Sequence, residues 1–135
     1  MNPFEDEYTP PPQDEDEKRV LVVDDDPEIL DILKNVLRQY YKVRTSKNSL
    51  EAMQIALEWK PNLLIIDWMM PRMPGNQLVQ TLRSKPDLKD IPVIFISAKS
   101  GEAAQKMVSK FKVQEFITKP FEAYDILKAA MKYLN

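Results

Sequence analysis

Asp24, Asp25 and Asp26 follow the apolar run Val20–Val23, Asp67 follows Leu63–Ile66, Ser97 follows Val93–Ile96, and Thr118 and Lys119 follow Phe116–Ile117. A reactive or ligating group thus closes each of four short apolar runs. The chain has neither His nor Cys among its 135 residues. A His general base, a Ser-His-Asp triad, a thiol nucleophile and thiolate or imidazole metal sites are therefore excluded. The remaining chemistry belongs to carboxylates, hydroxyls, lysine and a hard cation. Asp24, Asp25 and Asp67 brought together would repel one another unless a cation or a lysine neutralises them. A site offering oxygen ligands alone suits Mg²⁺, with Mn²⁺ as the alternative ion. Lys119 adds a point positive charge and Ser97 a hydroxyl, so the set describes a cradle for a phosphoryl group. No Gly-rich loop follows any of the runs, which excludes a P-loop or a dinucleotide fingerprint.

Residues far apart in sequence meet only if a fold collects them. The four runs are continuous rather than alternating, the pattern of parallel strands covered on both faces. A weaker strand is expected over Tyr41–Thr45. Helical spacing marks Pro27–Gln39, with Asp26 as N-cap and Pro27 at the first position. Further helices are expected over Leu50–Trp59 after a Ser49 cap, Asn76–Arg83 after Gly75, Glu102–Phe111 and Glu122–Leu134. Five βα repeats with right-handed crossovers give an α/β doubly wound five-stranded parallel sheet with five helices. Ligands of such sheets sit outside the carboxyl ends of the strands, where the polar residues lie.

The charge is unevenly spread. Residues 1–17 hold Glu5, Asp6, Glu7, Asp14, Glu15, Asp16 and Glu17, no Lys or Arg, and the run Pro10-Pro11-Pro12. Little apolar surface offsets ordering entropy there, so this segment reads as a disordered acidic, Pro-rich tail on a net basic domain spanning 18–135. No apolar stretch approaches the roughly 18 residues of a membrane span, and the N-terminus lacks a signal-peptide pattern. The expectation is a cytoplasmic chain with no membrane partner.

The segments Val22-Val23-Asp24-Asp25-Asp26-Pro27, Ile65-Ile66-Asp67-Trp68-Met69-Met70-Pro71, Pro74-Gly75, Phe95-Ile96-Ser97-Ala98 and Phe116-Ile117-Thr118-Lys119-Pro120-Phe121 resemble the response-regulator receiver domain of bacterial two-component signalling. The resemblance covers about residues 18–135, in the same order and spacing. It implies the flavodoxin-like strand order 2-1-3-4-5, with Asp67 as phosphoacceptor. Asp24, Asp25, Asp67 and the backbone carbonyl of Met69 would hold Mg²⁺, and Ser97 and Lys119 the phosphoryl oxygens. Ser97 and Phe116 would be switch residues, and Lys119-Pro120 a cis peptide. A sensor histidine kinase or phosphotransfer protein would supply the phosphoryl group, making the chain a switch rather than an enzyme. Output would run to a downstream protein through the fourth helix, fifth strand and fifth helix, where Lys106 and Lys110 supply charge. On the fifth helix Ile126, Ala129 and Tyr133 form a second apolar stripe beside Ala123, Leu127, Ala130 and Leu134. That helix has no Arg, so a monomer or a weak phosphorylation-dependent dimer is expected.

The sequence departs from the family pattern at Lys112-Val113-Gln114-Glu115, where Gly-Ala is usual, so the turn must be built without glycine. Met69 and Lys99 stand where the family lines the path of attacking water. Two other readings remain. A Mg²⁺-dependent phosphohydrolase with an Asp nucleophile would carry a second Asp at the position of Met69. A receiver belonging to a larger, DNA-binding regulator is the other, although this chain shows no recognition-helix pattern and is not expected to bind nucleic acid itself.

Overall fold

The computed structural model describes residues 17–70, 73–98 and 102–134. Five strands and five helices alternate. The strands are β1 (Arg19–Val23), β2 (Lys42–Ser46), β3 (Leu63–Asp67), β4 (Val93–Ser97) and β5 (Glu115–Thr118). The helices are α1 (Pro27–Leu37), α2 (Ser49–Trp59), α3 (Gly75–Arg83), α4 (Glu102–Phe111) and α5 (Ala123–Leu134). All strand pairs are parallel, in the order β2-β1-β3-β4-β5. The expected tail lies outside the described residues apart from Glu17, as does Lys99.

The continuous apolar runs are explained by two cores. Val20 and Val22 of β1, Leu63 and Ile65 of β3 and Ile94 and Ile96 of β4 point to one face, under α1 and α5. Leu21 and Val23, Leu64 and Ile66, and Val93 and Phe95 point to the other, under α2, α3 and α4. Every residue of β3 and β4 is buried, because both faces of a central strand carry a helix layer. The outer strands β2 and β5 are only partly buried, which accounts for their weaker signal.

Local chemistry sets the element ends. Asp26 caps α1 by accepting from Glu28 N–H, with Pro27 at the first helical position. The cap of α2 is Asn48, which accepts from Glu51 N–H at 2.8 Å. Ser49, expected as that cap, is instead buried, and its hydroxyl donates to the Met73 carbonyl at 2.7 Å. Asn and Ser stand side by side, both good caps, so sequence alone does not rank them. The turn before β5 is built with positive φ despite lacking glycine: Lys112 adopts φ 54°.

Candidate functional site

The carboxyl ends of β1, β3, β4 and β5 place Asp24–Asp26, Asp67, Ser97 and Lys119 on one rim. Asp24 is fully buried and Asp67 nearly so. Ligating oxygens of Asp24, Asp25 and Asp67 lie within 4.8 Å of one another, with Asp25 exposed to solvent. Lys119 reaches between the two buried acids, its Nζ 3.1 Å from Asp24 Oδ2 and 3.3 Å from Asp67 Oδ2. The second oxygen of Asp24 accepts from Asp26 N–H at 2.9 Å, and that of Asp67 from Met69 N–H at 3.0 Å. Each buried carboxylate therefore has one oxygen fixed by backbone and one turned to the lysine.

The electrostatics follow. Burial, with a contribution from the nearby Asp67, pushes the Asp24 carboxyl up from 3.8 to about 6, against the Asp26 N–H and Lys119, which favour its charge. Burial opposes the charge of Lys119, but Asp24 and Asp67 outweigh it and hold its pKa above the usual 10.5. One ammonium thus bridges two carboxylates, while the exposed Asp25 completes an acidic mouth.

The loop after β3 is tightly constructed. Gly75 N–H donates to the Trp68 carbonyl at 3.0 Å. A Cβ on Gly75 would fall 2.6 Å from the Asp67 carbonyl oxygen and 2.9 Å from Ile66 Cγ2. Only glycine fits the close approach of α3 to the strand end carrying Asp67. In the sequence Gly75 stands just before the helix expected over Asn76–Arg83, and nothing there signals this second duty. The Ser49 bond to the Met73 carbonyl anchors the same loop from α2, and its residues lie too far apart in sequence to reveal it.

Ser97 is fully buried, pairs in register with Thr118, and its carbonyl accepts from Lys119 N–H at 2.7 Å. The Lys119–Pro120 peptide is cis. Phe116 is half-buried, edge-on to Trp68 (centroids 5.7 Å, planes 85°) and to Phe95 (6.2 Å, 74°). It therefore connects β5 with the residue next to Asp67. Beside Lys119, the residues Ile29, Ile32, Pro120, Phe121 and Ala123 line an open apolar cavity of about 400 Å³, and Ile32 is half exposed.

The second stripe expected on α5 requires a correction. Ile126 is 0% and Ala129 5% exposed, and both belong to the core beside Leu127 and Ala130. The helix lies over the sheet and against α1, so its buried sector is wider than a single stripe. Tyr133 is half-buried and its hydroxyl donates to the Gln114 carbonyl at 3.1 Å. Lys106 and Lys110 are exposed on α4.

Residues 20–131 match the family model of the response regulator receiver domain. A sensor histidine kinase of Ectopseudomonas mendocina is 33% identical over 82% of this chain and 11% of its own length. The phosphate regulon transcriptional regulatory protein of Pseudomonas aeruginosa is 29% identical over 85% of this chain and 52% of its own. The chain thus spans about half, or far less, of these relatives. Among solved structures, the receiver domain of a histidine kinase from Syntrophus aciditrophicus is 30% identical (TM-score 0.77, covering 87% of this chain and 89% of that one). The chemotaxis protein CheY4 of Vibrio cholerae shares the fold at 24% identity (TM-score 0.83, 87% and 99% covered). This chain belongs to the response regulator receiver domain family of two-component signal transduction. No helix among its described residues is long and apolar enough to cross a membrane.

Proposed function

We propose that the chain is a phosphorylatable switch whose acceptor is Asp67. The observation that carries this reading is the Asp24–Lys119–Asp67 bridge with Asp25 at its mouth. It gathers residues from three strands into one compact constellation of charge. The three carboxylates, and by the family resemblance the Met69 carbonyl, would hold Mg²⁺ or Mn²⁺, and an all-oxygen acidic set fits a hard ion. When bound, such an ion neutralises charge developing on phosphoryl oxygens.

The chain's own residues do the rest. Asp67 Oδ2 attacks the phosphorus of a phosphohistidine on a kinase or phosphotransfer protein, in line with the leaving imidazole nitrogen. The P–N bond breaks as the P–O bond forms. The imidazole departs with its electron pair and takes up a proton, leaving an acyl phosphate on Asp67. Lys119, already 3.3 Å from that oxygen, follows the charge onto the phosphoryl group, and the Ser97 hydroxyl donates to a second oxygen. The apolar cavity beside Lys119, with half-exposed Ile32, gives a donor protein a seat within reach of Asp67. Phe116, touching Trp68 and Phe95, carries the change toward β5. With Ile126 and Ala129 buried, output toward a downstream protein is left to the α4 lysines Lys106 and Lys110 and to the exposed edge of Tyr133.

Treatment with acetyl phosphate and Mg²⁺ is expected to add one hydroxylamine-labile phosphoryl group, read by intact mass. Asp67→Asn is expected to take up none. Uptake by that variant, or a label stable to hydroxylamine, would remove Asp67 as the acceptor.

A further inference from the structure

The amino ends of the strands form a second rim, opposite the acidic one, and its charge has the other sign. Below β4 and β5 a cavity of about 510 Å³ is lined by Arg83, Lys89, Lys110 and Lys112, with Asp90 and Phe111. Arg83 organises it. Its Nη1 donates to the Lys89 and Ile91 carbonyls at 3.1 and 2.6 Å, and its Nη2 to the Lys112 carbonyl at 3.2 Å. Its Nε is buried with no hydrogen-bond partner among the described residues. Burial lowers the guanidinium pKa and Asp90 offsets this only in part, so the pocket holds a desolvated cation short of negative charge. The lysine ammonium groups add to that excess. The phosphoacceptor chemistry uses none of these residues.

We propose that this basic pocket is the docking site of the chain's own acidic segment, with Glu5-Asp6-Glu7 seated against Arg83, Lys89, Lys110 and Lys112. Charge complementarity supports this occupant: residues 1–17 carry seven carboxylates and no Lys or Arg. Position supports it as well. The segment joins the domain at Lys18, just before β1, on the same rim as the pocket, because every strand is parallel. In the sheet β1 is separated from β4 only by β3, a lateral distance of about 10 Å at roughly 4.8 Å per strand. A further 10 Å or so leads from the sheet to the helix layer holding Arg83 and Lys110. The chain from Glu7 to Lys18 extends to at most about 37 Å, enough to cross with Pro10-Pro11-Pro12 as a spacer. Glu15 and Asp16, two or three residues from Lys18, span at most about 11 Å and fall short of the pocket. The inference is independent of the phosphoacceptor reading.

The chain contains no cysteine, so Thr9→Cys provides a single attachment site for a nitroxide in the full-length protein. The expected result is preferential broadening of the amide signals of Lys89, Lys110 and Lys112, with those of Asp25 and Ala98 on the opposite rim spared. Broadening is expected to fall several-fold in about 0.5 M NaCl, where the Debye length shrinks to about 4 Å. It is also expected to fall several-fold on reversing the charges of Glu5, Asp6 and Glu7 to Lys, and in Lys110→Glu/Lys112→Glu. Even broadening of both rims, or insensitivity to salt and to the tail reversal, overturns the proposal. Mixing spin-labelled protein of natural isotopic abundance with isotopically labelled, unmodified protein separates the occupants. Broadening in that mixture as strong as in the labelled chain itself identifies a second copy's segment and overturns the intramolecular assignment.

Discussion

Burying the Asp24 carboxylate beside Asp67 has a consequence for stability. Its folded pKa, raised to about 6, lies above the ordinary 3.8. The folded state therefore binds more protons than the unfolded state between those values. The stability contributed by this group is fully present below 3.8 and is lost as pH rises through about 6. Lys119 acts at the other extreme: its raised pKa gives stability that persists through neutral pH and is lost only in the alkaline range above 10.5. In cation-free buffer, Asp24→Asn is expected to stabilise the protein by on the order of 1–2 kcal/mol at about pH 7.5 and to give little or no gain near pH 4. Asn preserves an acceptor for the Asp26 N–H, so the variant removes mainly the charge. Urea denaturation at the two pH values is the measurement, and equal gains at both would count against the burial argument. Adding Mg²⁺ is expected to stabilise the wild-type protein more at about pH 7.5 than at about pH 5, since its ligands must be deprotonated. Asp25→Ala should weaken that gain. The convergence of Asp24, Asp67 and Lys119 on one rim was legible in the sequence because each closes an apolar run. Their division into a buried, lysine-bridged pair and an exposed Asp25 was not, because it depends on how deep each strand end sits.

At the scale of elements, legibility followed burial. β1, β3 and β4 stand out as unbroken apolar runs because helices cover both their faces. β2 and β5 are half-open and blur. The fifth helix misled for the opposite reason: apolar residues at 126, 127, 129 and 130 read as two stripes, yet a helix lying across a sheet and beside another helix buries both. Backbone conformation left no trace where a non-glycine residue bears it. Lys112 and Lys60 have φ of 54° and 52°, and Lys60 ends α2 in the left-handed region. Its ion pair with Asp87 is largely solvent-exposed and contributes little. Lys60→Gly is therefore expected to stabilise the fold by about 0.5–1 kcal/mol, read as a higher urea midpoint at unchanged slope. Gly75→Ala is expected to do the reverse, costing about 1–3 kcal/mol, because the new methyl meets backbone and Ile66. With Asp67 as the proposed acceptor, it should also slow phosphoryl uptake from a small donor, as the loop after Asp67 must shift. Full stability and unchanged rate in Gly75→Ala would mean that the loop yields without moving Asp67.

Across the whole molecule, the parallel sheet separates two rims by charge. Carboxylates, the bridging lysine and the buried serine gather at the carboxyl rim, and Arg83 with its lysines at the amino rim. Strands of five residues put the rims about 17 Å apart along the sheet, and the connecting loops add to that. At physiological ionic strength the Debye length is about 8 Å. Charges of residues 1–17 held at the amino rim would therefore act on Asp67 only across about two screening lengths. Docked there, they are further balanced by Arg83 and the lysines. The negative potential of seven carboxylates, which would repel an anionic donor at close range, is thereby kept from Asp67. Deleting residues 2–17 is expected to leave the rate of phosphorylation by acetyl phosphate nearly unchanged at about 0.15 M salt. The rate is accessible from Trp68, which adjoins Asp67 and touches Phe116, by following its fluorescence. A several-fold acceleration on deletion would place the acidic segment at the carboxyl rim, against the separation of the two ends. A several-fold slowing would show that the basic rim, once uncovered, perturbs the site through the fold itself.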